Sequence, residues 1–128
     1  MALTKVTGAG LGTLTDDVTI PDKIIHSGDT NTAIRFPSAD TISFETGGSE
    51  RGRVDSSGNL LVGKTSLGLS NDGGEVRADG QISATKSGAV PAVFNRKTDD
   101  GEVINLRQDS TTIGGIYSSP SITGPFIG

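Results

Sequence analysis

Glycine and proline punctuate this chain so evenly that it has almost no room for a helix. The 19 Gly and 5 Pro are spread through 128 residues, and the longest stretch free of both runs only from Glu102 to Ile113. A mean helix of about 11–12 residues would barely fit once. All-α and doubly wound α/β folds are therefore excluded, and a β-rich chain of short strands and many turns remains. Thr and Ser are abundant beside the glycines. Leu, Ile, Val and Phe together make about 24% of the chain, above the roughly one-fifth below which chains stay disordered. The chain folds, but its core is thin.

Short β-type runs bounded by turn residues recur about every 8–10 positions. They are Lys23–Ile25, Ala33–Phe36 before Pro37, Thr41–Glu45, Arg51–Val54 and Leu60–Val62, then Val76, Ile82, Ala92–Phe94, Val103–Leu106 and Thr111–Tyr117. In Thr41-Ile42-Ser43-Phe44-Glu45 the alternation is clean, which predicts a half-buried strand with Ile42 and Phe44 on the covered face. Residues 1–21, with Leu3, Val6, Leu11, Leu14 and Val18 loosely alternating among Thr and Gly, read as an extended arm. The stretch 65–74, ending in Asn71-Asp72-Gly73-Gly74, reads as a linker. It divides a β module over 22–64 from a second over 75–128. An Arg-x-Asp-turn recurrence at Arg53, Arg77 and Arg107 suggests a loosely repeated hairpin, with spacings too unequal for a solenoid.

Several function classes are excluded or left without support. The chain has no cysteine and one histidine, His26, so thiolate metal sites, disulfides and cysteine nucleophiles are absent. A net charge of −4 without a basic run gives no nucleic-acid footprint. No apolar stretch approaches the roughly 18 residues of a membrane span, and the first residues lack a basic-then-apolar export signal. Gly58-Asn-Leu-Leu-Val-Gly63-Lys64-Thr65 satisfies the G-x4-G-K-[ST] phosphate-loop pattern. Its spacer, however, holds the strand-forming Leu60-Leu61-Val62, and no helix can follow, so the match reads as turn, strand, turn. Gly8, Gly10 and Gly12 do not make a dinucleotide fingerprint. Acidic groups at Asp16-Asp17, Asp72 with Glu75, and Asp99-Asp100 with Glu102 lack calcium-loop spacing and read as turn chemistry. No catalytic, metal or cofactor-binding residue is assigned, and no enzyme is expected.

Small β modules rarely draw more than ~3–5 kcal/mol from their own cores without staples. Without disulfides, the remaining way to bury Ile, Val and Leu faces is to share them between copies of the chain. A homotrimer with its axis along the stack of strands is expected. Its subunit-interface core is assigned to Ile24, Ile34, Phe36, Ile42, Phe44, Val54 and Leu61.

The run Asp22–Gly63, with Ile24-Ile25-His26-Ser27-Gly28-Asp29-Thr30, Asn31–Pro37, the Ala39–Glu45 strand and Glu50-Arg51 to Val54-Asp55-Ser56-Ser57-Gly58, resembles a module of tail-fibre and other virion structural proteins of tailed bacteriophages. The likeness is to marine and cyanobacterial phages especially, and Val93–Gly101 with Ile104-Asn105-Leu106 resembles a second segment of such fibres. Gly52 departs from the bulkier residue expected between Arg51 and Arg53. The resemblance implies an intertwined trimeric fibre, β-prism-like or β-helix-like, located in the virion as a tail (or head) fibre and made in the host cytoplasm. The arm, through Leu3, Val6, Leu11, Leu14 and Val18, would attach it to other tail proteins such as an adaptor, nozzle or baseplate. A carbohydrate-binding module that recognises host surface glycans is the alternative reading.

Overall fold

In the computed structural model, residues 17–118 are described. Among them the structure is all-β. Nine strands form two compact units, divided between Thr85 and Lys86. The first unit is a seven-stranded antiparallel meander in sequence order: β1 (Lys23–His26), β2 (Asp29–Arg35), β3 (Ile42–Thr46), β4 (Ser49–Val54), β5 (Leu60–Val62), β6 (Gly73–Val76) and β7 (Ile82–Thr85). The second contains one antiparallel hairpin, β8 (Gly101–Gln108) and β9 (Thr111–Ser118).

Turn chemistry sets the register. Gly47 and Gly48 both take positive φ in the two-residue β3–β4 turn, the geometry that matches strand twist. Asp55–Asn59 and Arg77–Gln81 close the β4–β5 and β6–β7 hairpins with one bonding scheme. In each, the first residue's amide donates to the fifth's carbonyl, the fourth, a glycine, donates back to the first, and that glycine is left-handed. Asp55 therefore corresponds to Arg77, and the structural repeat is offset from the Arg-x-Asp repeat seen in sequence. At Arg107 the turn is different, a two-residue one at Asp109-Ser110.

Two expectations are corrected. The stretch 65–74 is no linker. Residues 63–72 loop back so that β6 pairs with β5, and Gly73 and Gly74 are already strand. The boundary between compact units lies after Thr85, not near residue 70. Composition suggested flexibility there, but a buried ion pair described below holds the loop. Ala92–Phe94 is not a strand; it follows Pro91, which has no amide hydrogen for a ladder, and Val93 and Phe94 stand exposed.

Asp109 and Ser110 sit at φ 47° and 66°, in the left-handed region that favours glycine. Ser110→Gly should relieve about 1 kcal/mol of this strain. The expected readout is roughly five-fold slower amide exchange across 101–118; unchanged exchange would show that the turn carries no strain.

Candidate functional site

The meander's pairing sorts its side chains into continuous rows. One row crosses the sheet as Ile24, Ile34, Phe44, Gly52, Val62, Gly74 and Ala84, and a second on the same face runs Ile42, Val54, Leu60, Val76 and Ile82. Phe36, one residue past β2, extends this second row and is held by its amide bond to the Asp22 carbonyl. Between the two, on the opposite face, lies a mixed row of Lys23, Arg35, Ser43, Arg53, Leu61, Glu75 and Ser83.

The burial of these rows is inverted. Nine large apolar side chains of the first face are exposed, from 38% at Phe36 to 76% at Ile82. On the opposite face Ser43 and Leu61 are fully buried and Glu75 is 2% exposed. Alternation in Thr41–Glu45 thus divides the residues as read from sequence, but the face covered within one chain is the polar one. Of the seven residues assigned to a subunit interface, Ile24, Ile34, Phe36, Ile42, Phe44 and Val54 share the apolar face. Leu61 is corrected: it lies on the opposite face, in the chain's own core. Sequence reading missed Leu60, Val62, Val76 and Ile82, which strict period-two counting from Val54 across the paired strands would have found. Gly52 sits in the apolar row because an added Cβ would lie 3.0 Å from the Leu61 carbonyl oxygen.

Ion pairs and loops cover the mixed face. Arg35 bonds Asp22 and Glu45, and Arg53 bonds both oxygens of Glu50 at 2.6 Å. Glu75 is the most enclosed charge. Its Oε2 accepts from Lys64 Nζ at 3.0 Å and from the Gly68 amide at 3.1 Å; its Oε1 accepts from Arg77 Nε and Nη2. Lys64 also donates to the Gly68 carbonyl. One buried pair therefore grips both sides of the Gly68 residue and draws the β5–β6 loop over Leu61. Gly73 makes room for the lysine, since a Cβ there would meet the Val62 carbonyl at 2.6 Å and the Lys64 stem at 3.0 Å. The Lys64 ammonium, followed by Arg77 and the Gly68 amide, holds the Glu75 carboxyl at about 2, below its ordinary 4.5, against the effect of burial.

The phosphate-loop match resolves in the same terms. Gly58 belongs to a hairpin turn, Leu60–Val62 is β5, and the lysine ammonium is occupied by Glu75. Asp55 caps its own turn, accepting from the Ser57 and Asn59 amides and the Asn59 side chain; the last of these is the main cause of its lowered carboxyl value. The Asn59 Oδ1 accepts from the Ala78 amide and so stitches the two equivalent turns together. His26 is exposed at the end of β1. Among the described residues, no group of three or more His, Asp or Glu side chains converges as a metal site, and no helix is long and apolar enough to cross a membrane. Of the arm residues, Val18 is exposed, while Leu3, Val6, Leu11 and Leu14 lie outside the described residues. Comparison with protein-family models, with curated proteins and with solved structures finds no match.

Because the folded value of Glu75 is depressed, the stability it contributes is fully present above about pH 4.5 and is lost as pH falls toward 2. Glu75→Gln should melt at a lower temperature at pH 7 and lose less on acidification through that window. Parallel slopes for the two proteins in pH-dependent melts would remove Glu75 from this role.

Proposed function

We propose that this chain is a structural fibre module of a tailed-phage virion that assembles as a homotrimer through the apolar face of its β1–β7 sheet. The observation that carries the reading is the uncovered face itself. At the exposures found, its nine large side chains present on the order of 700 Å² of apolar surface, more than the ~300–600 Å² of the largest patch on a typical monomer and near the ~800 Å² each partner buries in a standard interface. Covering it would release roughly 15–20 kcal/mol per copy before the costs of association.

Strand length favours three copies around one axis. A five-residue strand spans about 17 Å, and three sheets of that width closed into a triangular prism would each lie ~5 Å from the axis, half the ~10 Å at which sheets pack. The strands then cross the fibre axis and the meander climbs along it, each strand supplying one layer of core from positions such as Ile42 with Phe44 and Leu60 with Val62. The stretch that resembles phage fibre modules, Asp22–Gly63, spans β1–β5 and so contributes most of this face. Residues 1–21 serve as the arm that attaches the trimer to other tail proteins.

Light scattering should give a particle of three 13.0-kDa chains, and Ile34→Asp with Phe44→Asp should reduce it to one. A monomeric wild type at micromolar concentration would overturn the assembly. For attachment, Leu11→Asp with Leu14→Asp should abolish incorporation into particles while leaving the trimer mass unchanged, and undiminished incorporation would overturn the arm's role.

A further inference from the structure

The β8–β9 ribbon carries a second, differently built surface. Its two faces separate sharply: Ile104 pairs with Ile116 and Leu106 with Gly114 on one side. Irregularities between Glu102 and Ile104 and between Leu106 and Arg107 shift the alternation, so that Glu102, Asn105 and Arg107 share the other side with Thr112 and Tyr117. There they form one chain of bonds. The Tyr117 hydroxyl and Asn105 Nδ2 both donate to Glu102 Oε1, at 3.3 and 2.8 Å; Asn105 Nδ2 also reaches Thr112 Oγ1 at 3.4 Å, and Arg107 Nε donates to Asn105 Oδ1 at 2.6 Å.

The tyrosine is held over a glycine. An added Cβ at Gly115 would lie 2.5 Å from Glu102 Oε1 and 3.1 Å from Tyr117 Cε2, so ring and carboxylate occupy the space a side chain would need. With its position fixed by Gly115 beneath and Glu102 at the hydroxyl, the ring remains 57% exposed. The negative charge of Glu102 raises the Tyr117 hydroxyl above its ordinary value and keeps it a donor. Among the described residues, Glu102 Oε2 and the terminal nitrogens of Arg107 take no partner.

We propose that this face of β8–β9 binds a neutral oligosaccharide, with one pyranose stacked on Tyr117 and further hydroxyls bonded by Glu102, Asn105 and Arg107. A fixed, open ring offers a sugar's C–H face an apolar platform. Alongside it stand the free acceptor and donors that hydroxyl pairs require. The carboxylate and guanidinium offset each other, which favours an uncharged ligand over a phosphate or an amine. From Glu102 to Arg107 the row runs roughly 16 Å, the length of a short oligosaccharide and too long for a single sugar. A peptide added as a strand would use the ribbon's backbone edge and leave this face unread. The site lies within one ribbon, so it stands or falls apart from the fibre reading.

The chain has one tyrosine and no tryptophan, so tyrosine emission reports this site alone. Titration of the full chain with maltotriose, cellotriose and N,N′,N″-triacetylchitotriose should give a saturable emission change for at least one, with a midpoint of about 1 mM. Saturation-transfer NMR with that sugar should lose its signal in Tyr117→Ala. In Glu102→Gln, which keeps the side chain's shape, the midpoint should rise five- to ten-fold. No saturable change with any of the three sugars, or transfer that persists unchanged in Tyr117→Ala, would overturn the proposal, as would an unaltered midpoint in Glu102→Gln.

Discussion

A single-layer sheet has two faces, and one short chain has loops enough for only one of them. Which face the loops take decides everything else about β1–β7. Here they take the side of the mixed row, where Lys64, Glu75 and Arg77 bond beside the buried Leu61 and hold the β5–β6 loop, and Arg35 and Arg53 flank Ser43 in register. The apolar rows are left bare along all seven strands. Stable domains stack two or more layers around an apolar interior, and in this sheet the apolar rows stand exposed instead.

That division explains why charged residues are buried in so small a structure. Enclosing a carboxylate is costly unless its bonds are satisfied, and a buried pair is weak evidence for stability by comparison with packed apolar groups. Glu75 meets the condition with four bonds from three residues. The arrangement fixes a loop and a register, which a leucine in its place would not do. A leucine at position 75 would leave the Lys64 ammonium without its carboxylate and the Gly68 amide without its acceptor. Polar bonds thus give the sheet its sidedness, and apolar rows give it something to pack with.

Much of this was legible in sequence. Glycine spacing excluded helices, and short β-type runs between turn residues marked seven of the nine strands, with Val76 and Ile82 marking the other two only as single positions, because both signals depend on neighbours along the chain. Six of seven residues assigned to an interface fall on one face for the same reason. What local pattern could not supply was the sense of burial. Ser43 looks solvent-facing and Ile42 looks covered from local pattern alone, whereas the ion pairs on the mixed face join residues far apart in sequence, such as Lys64 and Glu75, eleven positions apart. Leu61 was misplaced because Leu60-Leu61-Val62 is apolar throughout and gives no alternation to read. The 65–74 stretch was misread as a linker because its composition is that of flexible chain, while the bonds that hold it come from residues on either side.

The two units meet the same constraint with different means. In β1–β7 an ion network covers one face and leaves seven layers of aliphatic and phenyl groups. A lone two-stranded ribbon is marginal in water, yet in β8–β9 the polar side is tied across the strands by Glu102, Asn105 and Tyr117 over Gly115, and Ile104, Leu106 and Ile116 are left on the other. Each unit therefore ties most of the polar side chains on one face together, Ser43 Oγ being an exception, and leaves large apolar side chains exposed. This is the pattern expected when assembly supplies the hydrophobic term and the single chain supplies the specificity. In the assembly proposed above, the bonded polar surfaces, with the tyrosine platform among them, would remain the part of the molecule free to meet something else.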